Sequence, residues 1–286
     1  MPDYAPNLTA LLDREPVPSA GVTSIEVDYQ VDGVACRGYL ARPDDDSSHP
    51  AVLVIHDWLG VSDYVRMRAD LLARLGYIAF AADVYGADTR PTPADAPQVA
   101  AGFYGDQALF RTRVVGGFDR MLAETGVDRA RTAAIGYCFG GSAVLQLART
   151  GVDVAGVVTF HGGLQAGPEG EAAGIKAKLL ILHGAIDPVV PDDAVIALEE
   201  ELRAAPDLDW QLVAYSGAMH AFTLPDANAP EHGAQYQPAA ERRSWLAMKN
   251  FFDEIFAQAG EPAGEQGPGA AGHASSHAVP GDGSAL

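Results

Sequence analysis

Strand-length apolar runs alternate along the chain with longer stretches in which apolar positions recur every three or four residues. The runs at 51–56, 77–84, 132–135, 154–160 and 179–182 lack a polar alternate face, the pattern of strands covered on both sides in a parallel sheet, and 209–215 reads as the last strand. Between them, helical spacing predicts helices over 62–75, 98–124, 142–149 and 192–204, and a last one over 239–257. Strand, helix, strand with short connections is the βαβ unit, and its crossover is right-handed. Ahead of this series, 22–30 and 34–41 alternate apolar and polar residues around Asp32-Gly33, which reads as a hairpin.

The same pattern divides the chain. Residues 1–21 read as an N-terminal arm with one apolar patch, 8–12, among Pro6, Pro16 and Pro18. Residues 22–257 read as one α/β domain with a mostly parallel central sheet and helices on both faces. The remainder, 258–286, is Gly, Ala, Pro and Ser with almost no large apolar residue, and is expected to be a disordered tail in which His273 and His277 are bystanders.

Chemistry enters at Gly136-Tyr137-Cys138-Phe139-Gly140, where an apolar strand turns sharply into a helix of small residues. A nucleophile on so tight a turn crowds its neighbours, so the residues two before and two after it must lack a Cβ, and both are glycine. The helix N-terminus adds free N–H groups and positive dipole beside the sulfur, which favours a thiolate and later an oxyanion. Taken alone, the turn would fit a buried structural cysteine equally well. Two further residues change the balance: Asp187, in His-Gly-Ala-Ile-Asp-Pro, and His220, in Ala-Met-His-Ala-Phe, follow later strands, so all three stand at carboxyl ends of strands, where open α/β sheets place their chemistry. Asp187 could instead serve as a turn or capping aspartate, and His56, His161 and His183 are rival bases. A thiol needs a base and an imidazole needs a carboxylate, so Cys138, His220 and Asp187 supply the roles of a catalytic triad. Backbone N–H groups of Phe139 and Trp58 are the expected oxyanion donors.

Composition narrows the partners. The 286 residues, 48% hydrophobic, suffice for one large core, and a formal charge of −19 from 19 basic and 38 acidic residues argues against nucleic acid and against an anionic membrane surface. The two cysteines, Cys36 and Cys138, form neither a disulfide framework nor a metal-ligand spacing, which suits a reducing compartment; Cys36, in the second hairpin strand, is expected to pack. No metal or cofactor is expected. No window approaches the ~18 apolar residues of a membrane span, and no signal peptide is evident, so the chain reads as cytoplasmic, a monomer or small homo-oligomer.

On Gly-Tyr-Cys-Phe-Gly-Gly around Cys138, His-Gly-Ala-Ile-Asp-Pro-Val-Val-Pro around Asp187, Ala-Met-His-Ala-Phe around His220, Ile-His-Asp-Trp-Leu-Gly-Val at 55–61 and Ala-Asp-Val-Tyr-Gly at 82–86, the chain resembles the dienelactone hydrolase family, the cysteine branch of the α/β hydrolases. The resemblance spans about 22–257. It implies the α/β-hydrolase fold, a Cys-His-Asp triad, no cofactor, and hydrolysis of a small-molecule ester or lactone of the carboxymethylenebutenolidase type. It also implies a thiol-switch carboxylate at Asp57, where the family has glutamate. The family grips its substrate's carboxylate with two arginines, yet 221–224 holds no arginine and 91–110 no basic residue. The substrate is therefore expected to be less anionic than dienelactone; the cations that could alter this are Arg66, Arg68 and Arg90. Tyr85, Phe103, Tyr104 and Phe222, with Trp58, are the expected pocket aromatics. A thioesterase or acyl transferase on the same triad is the nearest alternative, and a non-catalytic ligand-binding protein of this fold is the alternative of another class.

Overall fold

Asp32 and Gly33 both take positive φ, 49° and 75°, as a two-residue turn between right-twisted strands demands. They join β1 (Val22–Val31) to β2 (Val34–Pro43) in an antiparallel hairpin. In this computed structural model, which describes residues 2–259, the hairpin forms one end of an eight-stranded sheet ordered β1-β2-β4-β3-β5-β6-β7-β8. The other six strands are β3 (His49–Ile55), β4 (Ile78–Ala82), β5 (Val127–Tyr137), β6 (Gly156–Phe160), β7 (Lys178–Gly184) and, at the far edge, β8 (Trp210–Tyr215), all parallel to one another. Only β1 and β2 run antiparallel to their neighbours. Ala51 to Ile55 and Ile78 to Ala82 are wholly buried, because helices cover both faces. This is the arrangement of the α/β-hydrolase fold.

One face carries α1 (Pro6–Leu12), α2 (Asp63–Arg74) and α7 (Pro238–Ala259); the other carries α3 (Ala96–Gly105), α4 (Gln107–Leu122), α5 (Phe139–Arg149) and α6 (Asp192–Arg203). The apolar patch of the N-terminal arm is the short helix α1, and it buries Leu8, Leu11 and Leu12. Each such side chain contributes about 1.5–3 kcal/mol when fully covered. The arm is also tied electrostatically: Glu15 accepts from Trp245 Nε1 and from Lys249 Nζ on α7.

Three expectations need correction. The single helix read over 98–124 is two, because Asp106 leaves the helical region at φ −129° and caps α4 by accepting Leu109 N at 2.9 Å. The loop read over 223–237 contains a small ribbon, β9 (Asn228–Ala229) with β10 (Ala234–Gln235), around a 3-10 turn at Pro230–His232. The helix α7 continues through Ala259, past the expected start of the tail; residues 260–286, with His273 and His277, lie outside the described residues. No helix among the described residues is long and apolar enough to cross a membrane.

Candidate active site

The geometry begins with the turn after β5. Cys138 adopts φ 54° and ψ −113°, a conformation that costs a residue bearing a Cβ about 1–3 kcal/mol. Its N–H donates to Phe160 O on β6, and its carbonyl accepts from Gly141 N and Ser142 N, so the strained residue is clamped from both sides. The two glycines are steric necessities: a Cβ on Gly136 would stand 1.9 Å from Gly140 O, and one on Gly140 would stand 2.2 Å from Ile55 O. Both obstacles are backbone, which cannot step aside.

Asp187 follows β7, and both its carboxylate oxygens are occupied. Oδ1 accepts from Val189 N at 2.8 Å and Val190 N at 3.2 Å; Oδ2 meets His220 Nδ1 at 2.8 Å. His220, beyond β8, is pinned through its backbone to the ribbon, its N–H donating to Gly233 O and its carbonyl accepting from Gln235 N. Its other ring nitrogen, Nε2, lies 3.1 Å from Cys138 Sγ. The three residues picked from the sequence are thus joined in one line of contacts. Burial alone would lower the imidazole's pKa, but the Cys138 charge and the Asp187 carboxylate outweigh it and push the ring up to about 10.

Two of the rival histidines are held by other partners. His56 donates from Nδ1 to Asp57 O at 2.6 Å and accepts from Val84 N at Nε2, so it is held as one neutral tautomer; burial lowers its pKa as well. His161, at φ 39°, shares Nε2 with Thr223 Oγ1 at 2.6 Å and packs its ring 5.3 Å from that of His220. Burial, and then the positive charge on His220, lower its pKa well below the usual range. His183 is likewise lowered, chiefly by burial. The composition drew attention to none of the support behind His220: Thr223 Oγ1 also meets Tyr64 OH at 2.7 Å, and Tyr64 OH accepts from Arg68 Nε. Its parts are far apart in sequence, and nothing in their spacing links them.

Around the sulfur, Phe139 is a hub that sequence inspection valued only for its backbone. Its ring meets Phe110 at 4.7 Å, Tyr85 at 5.0 Å, Phe103 at 5.7 Å, Tyr104 at 5.7 Å and His56 at 5.7 Å. Tyr85 hydroxyl donates to Trp58 O at 3.2 Å, and Tyr104 hydroxyl stands 3.4 Å from Ser142 Oγ. Phe222 does not join this group. It is fully buried on the opposite face against His161 and Tyr215, so its ring has no surface to offer a ligand, and its assignment to the pocket is withdrawn.

As the first residue of α5, Phe139 has no acceptor for its N–H within the helix. In the loop after β3, Asp57 O and Asp57 Oδ1 take Gly60 N and Leu59 N. The Asp57 carboxyl is 1% exposed, and burial pushes its pKa up to about 6 despite the Leu59 bond. Its carboxylate oxygen Oδ1 accepts from Leu59 N. The cations noted in the sequence are all paired: Arg66 with Glu26, Arg68 with Glu241 in the core, Arg90 with Asp83. Cys36 is 1% exposed, near Arg113.

Comparison with known proteins identifies the fold and the family. A solved structure of a dienelactone hydrolase-like promiscuous phosphotriesterase from metagenomic libraries matches with a TM-score of 0.79 at 38% identity, over 82% of this chain and 98% of that one. A Salmonella typhimurium protein named "Putative carboxymethylenebutenolidase" is 28% identical over 247 residues, 82% of this chain and 87% of its own. An acetyl xylan esterase from Paenibacillus, at 17% identity and a TM-score of 0.60 over 87% of this chain and 92% of that one, shares the fold. The profile described as "Dienelactone hydrolase family" matches residues 36–256, and the chain belongs to that family.

Proposed function

We propose that this hydrolase cleaves a carboxylic ester or lactone by attack of Cys138, with His220 as proton carrier and Asp187 as its orienting carboxylate. The observation that carries the reading is the pair of contacts on one imidazole, 3.1 Å to Cys138 Sγ and 2.8 Å to Asp187 Oδ2. The sulfur forms a bond to the substrate carbonyl carbon, and the negative charge moves to the carbonyl oxygen. The N–H groups of Phe139 and Trp58 would receive that charge, a contribution of several kcal/mol. Collapse of the adduct breaks the C–O bond, and the leaving oxygen takes the proton from His220 Nε2. In a lactone that oxygen stays tethered to the acyl group. Water then attacks the thioester, giving its proton to His220, and the thiolate is released.

The substrate in this reading is neutral or weakly anionic. A cation facing a carboxylate would add about 1.5–3 kcal/mol per charge-assisted bond, and Arg66, Arg68 and Arg90 are each committed to a carboxylate of the protein. Tyr85, Phe103 and Tyr104 would line the acyl or alcohol pocket. Asp57 is proposed as a reserve carboxyl for the thiol: Tyr85 senses the charges of both Asp57 and Cys138, so the two groups share one neighbourhood.

Turnover of p-nitrophenyl acetate by Cys138→Ala and His220→Ala tests the mechanism. A fall of at least about 1,000-fold in each is expected; parent-like rates in both would end the proposal. A neutral lactone assayed beside its carboxylate-bearing analogue tests the substrate class, and a strong preference for the anion would refute it.

A further inference from the structure

Beside the elbow, a crevice is bounded by Tyr104, Gln107, Ser142, Gln146 and Gln165. Its polar lining is hydroxyl and amide, with the guanidinium of Arg149. That cation is spent, Arg149 being paired with Glu201, and so is Arg111 behind Gln146, paired with Glu171. Ser142 is spent as well, since its hydroxyl donates to Gly163 O at 3.1 Å and accepts from Gly163 N at 3.0 Å, fastening the turn after β6 to the elbow helix.

Tyr104 differs from these. Its side chain is 40% exposed, and its hydroxyl has a single partner, Ser142 Oγ, at a long 3.4 Å. The ring is set by edge contacts with Phe139 and Phe110, so packing determines the hydroxyl's position; with the Ser142 proton given to Gly163 O, Tyr104 donates to Ser142 Oγ only over that long, weak contact and can exchange it for a better acceptor. Burial of the hydroxyl, and then the charge on Cys138, push its pKa upward, so it remains a donor at neutral pH and lies within electrostatic reach of the nucleophile. The neighbouring phenol, on Tyr85, has already donated to Trp58 O.

We propose that the Tyr104 hydroxyl is a specificity-determining hydrogen-bond donor that reads an uncharged oxygen of the substrate, an ether, keto or hydroxyl group close to the scissile ester. The substrate class is thus an oxygenated, neutral ester or lactone. This deepens the hydrolase reading and rests on it. A substrate oxygen within reach exchanges the long Ser142 contact for a shorter hydrogen bond, so the site favours substrates that carry one.

The test compares the parent with Tyr104→Phe, which keeps both ring contacts and removes only the oxygen. The probes are phenyl acetate, phenyl methoxyacetate with an ether on the acyl side, and 2-methoxyphenyl acetate with an ether on the alcohol side. For at least one ether-bearing ester, kcat/KM is expected to fall roughly 3- to 10-fold more than for phenyl acetate, through KM or kcat. The ratio between probes cancels any change in folded fraction, so a poorly folding variant still answers. If all three probes change by one common factor, or none changes, the proposal is overturned. Failure of the underlying reading would look different, with parent and Cys138→Ala alike on phenyl acetate.

Discussion

Replacing Asp57 by Asn should stabilise the protein, and by an amount that depends on pH in a defined way. The carboxyl is 1% exposed and its pKa is pushed by burial from 3.8 up to about 6. A shift of about 2 units corresponds to about 3 kcal/mol. Because the folded value lies above the unfolded one, the native state binds more protons between pH 4 and 6, and stability falls as pH rises through that window. Above it the whole penalty of the buried charge is present. Asparagine keeps an oxygen for Leu59 N, the bond Asp57 makes at 2.8 Å, and never ionises. The advantage of the variant is therefore expected to be about 3 kcal/mol at pH 7.5 and about 1 kcal/mol at pH 4.5. Urea unfolding of both proteins at four pH values across this range measures it; taking the difference removes the titration of every other group. An advantage of equal size at all four values, or a less stable variant at pH 7.5, would refute the reasoning that Asp57 is an unpaired charge held out of water.

Other outcomes follow from the site. The imidazole of His220 is held up to about 10 by the Cys138 charge and Asp187 against burial; a raised value contributes stability below the ring's ordinary pKa that is lost as pH rises through about 10, and kcat/KM for p-nitrophenyl acetate should fall over the same alkaline limb as the acid that protonates the leaving group disappears. Iodoacetamide should label Cys138 and spare Cys36, which is 1% exposed, as peptide mass mapping would report; equal labelling would count against a special thiol. Gly136→Ala should cost more than about 3 kcal/mol or prevent folding, since its Cβ would meet Gly140 O at 1.9 Å; near-parent stability by thermal melting would contradict the steric account.

The parts of this fold that are local in cause were readable from the chain. Buried strands announce themselves by continuous apolar runs, Asp32-Gly33 by the positive φ its turn needs, and the elbow by Gly136 and Gly140 at spacings set by backbone contact. The proximity of Cys138, Asp187 and His220 was legible only through order along the sheet, because no local pattern encodes a 3.1 Å contact between residues 82 positions apart. What escaped was of two kinds. The break between α3 and α4 hangs on one capping aspartate in a region that is helical on both sides, where pattern outweighs a single residue. The face to which Phe222 belongs, and the pairing of every nearby arginine, depend on partners brought in by tertiary folding: Glu26, Asp83 and Glu241 for Arg66, Arg90 and Arg68.

Gly136 and Ile55 are register partners on adjacent strands, β5 and β3, so the sulfur and the loop bearing Trp58 ride on neighbouring hydrogen-bonded rails. Asp187 and His220, by contrast, hang from β7 and β8, with β6 interposed. Breathing of the sheet along its width would draw the proton carrier away from the attacking atom while leaving that atom and Trp58 locked together. Under the proposed roles, warming should therefore loosen proton delivery by His220 before it disturbs the backbone N–H groups of Phe139 and Trp58.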